Sequence, residues 1–397
     1  MNTNASTPTP AEDFSLVHGG PLYQLCLRMR LLRAPVDLVE RRIIVFTVVT
    51  WLPLLVLSIV SGTAFGGLKV PFLVDLQVHT RFLLALPMLI GAEVLVYQRI
   101  RATVRQLIDR GIVGPDERSR FDEIIASTMR LRNSVAVEVV LIVFSATFGY
   151  WFWRENMALG VNTWYATIGP AADNNLTLAG YWYAFVSLNL FRFVLLRWYF
   201  RLILWYIFLW RLSRLPLRLN SLHPDRAGGL GFIGNSVFAF TPVLLAQATV
   251  LSGAIGDRIW HEGMKLPAFQ MEIAGEVALL MAVILAPLTF FILPLVRGKR
   301  AGSREYGLLA MQYVEDFREK WLRGTRTDGE PLVGSADIQS LADLAGGHDV
   351  LREMRILPLS RQSFITLAVV VALPYLPLTL TMIPFEEMVS RILTKLL

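Results

Sequence analysis

Long apolar stretches dominate this chain, at 43–64, 82–97, 135–153, 181 to about 200, 229–255, 272–296 and 364–383. A helix of about 20 such residues crosses the hydrocarbon core of a bilayer. Within that core every backbone N–H and C=O must be satisfied inside the chain, which leaves helices or a closed barrel. The stretches are too long and too uniformly apolar for barrel strands. The expected fold is therefore all-α, a polytopic integral membrane protein of about seven transmembrane helices. The last is the weakest, because Pro374 and Pro377 interrupt it.

Orientation follows from charge. Of the 38 Lys and Arg residues, 29 fall in segments that alternate to one side of these spans and seven to the other, with Arg192 and Arg197 inside a span. The side rich in Lys and Arg is the cytoplasmic one, so the N-terminus is expected inside, the C-terminus outside, and the location a cell inner membrane. Aromatic residues agree: Tyr150, Trp151 and Trp153 close the third stretch, and Tyr181, Trp182 and Tyr183 open the fourth, as at a membrane interface. The net charge of +7 is thereby assigned to orientation and anionic lipid headgroups, not to nucleic acid.

Around the spans, residues 1–20 read as a disordered tail, lacking the basic and apolar regions of a cleavable signal, and 21–42 as a basic amphipathic helix on the inner leaflet. A six-helix transmembrane region covers 43–296, and within it 98–134 forms a cytoplasmic helical hairpin broken at "GIVGP". Residues 297–363 form a cytoplasmic helical segment in which Tyr306, Leu309, Tyr313, Phe317 and Trp321 recur at helical spacing. The last span and an amphipathic C-terminus occupy 364–397.

The informative residues are charges where charge is costly. Measured from Tyr181 at 1.5 Å per residue, Arg192 lies roughly 17 Å deep and Arg197 about 24 Å, whereas Arg201, at about 30 Å, is interfacial. Their spacing of five and four residues does not make the single stripe of a voltage sensor. Glu93 and Glu138 reach the same level. Helical side chains lean toward their own N-terminus, so Glu93 is expected to pair with Arg197, Glu138 to lean toward the cytosol, and Arg192 to need a polar neighbour.

Three further patterns carry expectations. Gly228, Gly231, Asn235, Ala239, Pro242, Ala246, Thr249, Gly253 and Gly256 recur at gaps of three and four, a small-residue face that is either a packing seam or a pathway lining. Leu244 points away from it. In "HPDRAGGLGFIGN", Asp225 is expected to cap a turn. The glycines there do not follow a strand, which excludes a dinucleotide fingerprint, while Arg214, Arg218, His223, Asp225 and Arg226 form a candidate anion or headgroup site. Glu272 and Glu276, one turn apart at the outer start of the sixth span, are a candidate acidic mouth.

One cysteine, Cys26, and five dispersed histidines provide no metal or nucleophile constellation, so neither an enzyme nor a cofactor is expected. The function these features favour is movement of an ion or small solute, as a channel or transporter and as a homo-oligomer. The competing reading is a non-transporting signalling or scaffold protein acting through its cytoplasmic helices. The charge count makes a direct prediction: a reporter fused after Leu397 is periplasmic and one inserted at Gly329 cytoplasmic. Both on one side would remove the seventh span.

Overall fold

The computed structural model describes residues 13–28, 38–156, 163–168, 174–324 and 335–382. The segments expected as the first part of the tail (1–12), the second part of the interfacial helix (29–37) and the amphipathic C-terminus (385–397) lie outside the described residues.

The frame is all-helical. After α1 (Pro21–Arg28) come α2 (Val39–Val60), α3 (Leu76–Asp109), α4 (Arg118–Arg132) and α5 (Val135–Asn156). A small antiparallel hairpin, β1 (Ala166–Ile168) and β2 (Asn174–Leu176), follows. Then come α6 (Leu178–Leu212), α7 (Gly231–Glu262), α8 (Leu266–Trp321), α9 (Ala336–Arg352) and α10 (Arg361–Met382). Among the described residues six helices are long and apolar enough to cross a membrane: α2, α3, α6, α7, α8 and α10. The stretch expected as the third span is α5, whose described apolar part, Val135–Thr147, is shorter.

The outer face of α2 shows why this bundle belongs in lipid. Ile44, Val48, Leu52, Val56 and Val60 form an exposed row at four-residue spacing, one continuous stripe of a helix. In water such a row would be an aggregation site. The opposite face turns Arg42, Thr50, Leu54 and Ser58 inward.

α7 is the central helix, with 56% of its apolar window buried against 17% for α2 and 22% for α10. It packs on α3 and on the broken helix α10. Small residues permit this: a Cβ on Gly253 would lie 1.9 Å from Thr80 Oγ1, and one on Gly234 1.6 Å from the Pro358 carbonyl. Ala239, Ala246, Thr249 and Gly256 are buried as well, and Asn235 is exposed where α7 tightens to 3₁₀ geometry. Leu244 is also buried; α7 has neighbours on both of these sides, so the expected contrast between Leu244 and the small face is absent.

Two other expectations change. The 98–134 hairpin does not project freely: α4 folds back on α6, burying Phe121 and Ile125, with Phe121 edge-on to Phe208 at 6.2 Å. Residues 13–20 are not a free tail, since Phe14, Ser15, Leu16 and Val17 are buried and Phe14 lies 4.9 Å from Phe208. In the 297–363 segment Tyr306, Tyr313 and Trp321 hydrogen-bond to α9, whereas Leu309 is exposed.

Candidate functional site

α2 and α5 begin, and α3 and α6 continue outward, at the same end of the bundle, here termed the basic end. Antiparallel neighbours therefore bring first-turn residues of one pair level with residues in the middle and second half of the other. Glu93 of α3 is buried there. It accepts from Arg42 Nη1 of α2 and, at 2.7 Å, from Arg201 Nη2 of α6. Arg201 also lies over the Trp198 ring at 4.6 Å. Beside this triad Arg197 Nε meets Glu138 Oε1 at 3.5 Å.

The expected Glu93–Arg197 pair is thus replaced by Glu93 with Arg42 and Arg201, and Glu138 with Arg197. Arg201, expected at the interface, is buried. The reason is geometric. Arg201 reaches back one turn toward its own N-terminus to the level of Glu93, while Arg197, about 40° round the helix, faces α5. The helices and residues 13–20 also extend the protein interior past the apolar stretch, so depth along α6 does not measure exposure.

Residues 13–20 close this cluster from the basic end. Arg132 Nη1 donates to the Ser15 carbonyl, and Gly20 N donates to Asn133 Oδ1 at 3.2 Å. Burial, reinforced by Arg201, pushes Arg132 down to about 10, still cationic at neutral pH. The His18 ring packs at a tilt against Tyr97, centroids 4.0 Å apart. A void of about 20 Å³ remains between Leu16, Val17, Gly19, Arg132, Glu138, Arg197 and Arg201, room for about one water-sized group.

Further along the same seam both helices loosen into a π-turn, at Thr80–Ala85 of α3 and Tyr183–Ser187 of α6. Such turns insert a residue into the helical ladder and recur at functional sites. Arg81, inside the first, donates from Nη1 to Tyr183 Oη at 2.8 Å and lies 5.9 Å from the Phe191 ring. Arg192 is half-buried and within electrostatic reach of Arg81 and Tyr183. Neither arginine has a carboxylate partner among the described residues. Above them Trp164 packs on Tyr183 at 5.1 Å and donates to Asp75 Oδ2 at 2.8 Å, capping the far end. Arg81 and Tyr183 were missed in the sequence because both stood at a span boundary; the aromatic run after Tyr181 was the only pointer.

Most of the remaining candidates are occupied by their own chain; Arg214 is the exception, with no ion-pair partner among the described residues. Asp225 accepts from the amides of Ala227, Gly229 and Gly231 at 2.8, 3.1 and 2.8 Å, so it fills the place an external anion would take. Burial acts to raise its pKa, but these donors and His223 outweigh that and hold it below the usual carboxylate range. Arg226 pairs with Glu353 at 2.6 Å and Arg218 with Asp116 at 3.4 Å. At the other end Glu272 meets Arg258 at 3.3 Å, and Glu276 accepts from Tyr375 Oη at 2.6 Å; the two acids serve different partners and assemble no shared mouth. No group of metal-ligating side chains occurs among the described residues. No protein-family model, curated protein or solved structure matches the chain.

The docked segment should respond to pH. Burial, with Arg132, Arg201 and Arg101 outweighing Glu93, lowers the His18 pKa to about 4. Below about 6.5 the undocked histidine binds a proton that the docked one refuses, so docking weakens as pH falls from about 6.5 toward 4 and levels off below. Hydrogen exchange at the Phe14–Val17 amides, corrected for intrinsic chemistry, should accelerate between pH 7 and 5, and His18→Phe should flatten the response. Equal protection at both pH values would refute the linkage.

Proposed function

We propose that this chain moves a small anion across a cell inner membrane, along the seam between α3 and α6, with the basic end in the cytosol. The reading rests on Arg81, in the first π-turn, and Arg192, just past the second, which lie within electrostatic reach of each other with no ion-pair carboxylate among the described residues. Two uncompensated cations between membrane helices are costly, and a bound anion removes that cost. Rings of arginine serve anion and phosphate pores for the same reason.

The rest of the seam supports the direction of travel. Arg197, Arg201, Arg42 and Arg132 outnumber Glu93 and Glu138 at the basic end, so positive charge continues from the π-turns to the void beneath them. Leu16, Val17 and Gly19 seal that void; in this reading residues 13–20 are the gate. The seven-helix, N-inside arrangement belongs to the same proposal. A scaffold role draws on a different observation, the exposed Leu308, Leu309 and Met311 along α8.

Purified full-length protein in liposomes under a potassium chloride gradient provides the test. The reversal potential should approach the chloride equilibrium potential. Arg81→Gln and Arg192→Gln should each cut the current about tenfold or more, the scale of one charge-assisted contact, while Arg192→Lys retains part of it. Removal of residues 1–20 should raise the current. Potassium selectivity, or no current with or without residues 1–20, would overturn the proposal in favour of the scaffold.

A further inference from the structure

Where α6 leaves the bundle at its basic end, the chain turns through Ser213–Leu219 beneath α8. Between the two lies a cavity of about 800 Å³. Its walls are of two kinds. Trp210, Leu217, Phe290 and Leu293 supply an apolar slot, and Arg214 and Arg297 supply charge. Trp210 and Leu293 are exposed on the surface of the bundle, so the slot opens sideways, where acyl chains lie.

The arginines distinguish this cavity from an ordinary groove. Three neighbouring cations are already engaged: Arg218 with Asp116, Arg226 with Glu353, and Lys299 with the carbonyls of Arg352 and Met354 at 2.7 and 2.8 Å. Arg214 and Arg297 have no ion-pair partner among the described residues. Arg214 lies over the Trp210 ring at 5.2 Å, which holds the guanidinium at the mouth of the slot. The α8 backbone places the second charge: its tightened turn at Ala286–Phe291 directs Phe290 into the slot, and Arg297 follows two turns later.

We infer that this cavity binds one anionic phospholipid, its phosphate between Arg214 and Arg297 and an acyl chain along Leu217, Phe290 and Leu293. Guanidinium groups match phosphate oxygens with paired donors. Basic pockets between helices at the cytoplasmic membrane surface select anionic headgroups, and tryptophan at that level anchors the headgroup region. The site is separate from the Arg81–Arg192 seam and does not depend on transport.

Native mass spectrometry of the full-length protein in detergent, with phosphatidylglycerol or phosphatidylcholine added, tests it. Wild type should retain phosphatidylglycerol in preference to phosphatidylcholine. Arg214→Gln with Arg297→Gln should weaken phosphatidylglycerol binding about tenfold or more, with an unchanged melting temperature as the folding control. Leu293→Trp, which fills the slot and keeps both charges, should also displace the lipid; if the arginine pair perturbs folding, this variant decides. Equal retention of the two lipids, undiminished phosphatidylglycerol binding in the variants, or equally tight binding of inorganic phosphate would overturn the inference.

Discussion

One carboxylate shared by two arginines holds the basic end of this protein together. Glu93 of α3 accepts from Arg42 of α2 and Arg201 of α6, so three helices meet at a single buried charge. Removing a buried ion's partner costs about 3–5 kcal/mol, a large fraction of the stability of most proteins. Apolar packing does not compete for this role, because lipid tails are as apolar as leucine and give helices little reason to prefer one another. The triad supplies the directional preference. It also fixes the level at which α6 passes α3, and with it the approach of the two π-turns farther along the seam.

Along that seam cations outnumber acids among the described residues. Glu93 is outnumbered by its two partners, Glu138 pairs with Arg197, and Arg81 and Arg192 have no ion-pair carboxylate among the described residues. The fold thus concentrates cations between helices and then closes both ends, with Trp164 and the hairpin above and residues 13–20 below. A purely structural ion-pair network would be expected to balance. In the function proposed above, it is this imbalance that an anion would neutralise. The surface cavity at Arg214 and Arg297 repeats the same logic at the membrane boundary.

The apolar spans were legible in the sequence because a membrane segment must be contiguous, and contiguity survives in one dimension. Asp225 was legible too, since a short acid before glycines caps a turn by local geometry alone. Partner choice was not. Arg197 and Arg201 differ by one turn, and which faces α3 depends on where α2 and α5 begin, a fact of packing. Arg201 looked interfacial because depth counted along α6 ignores α4 and residues 13–20, which bury it. Arg81 looked like a flanking charge until Leu76–His79 proved helical, and π-turns leave no periodic signal. Ala239, Ala246, Thr249, Gly253 and Gly256 of the small-residue set are buried, yet Leu244 opposite them is equally buried, because centrality depends on neighbours on both sides.

Glu93, shared by Arg42 and Arg201, ties the basic end together, and thermal unfolding of the purified protein in detergent reads this directly. Glu93→Leu alone should lower the melting temperature sharply, leaving two buried cations without their carboxylate. Converting all three positions together, Glu93→Leu with Arg42→Leu and Arg201→Leu, should restore most of the loss, since replacing a complete buried ion cluster by apolar side chains is close to neutral. A triple variant as unstable as the sum of its single changes, or a Glu93→Leu protein that melts like wild type, would show that these three residues do not hold the bundle.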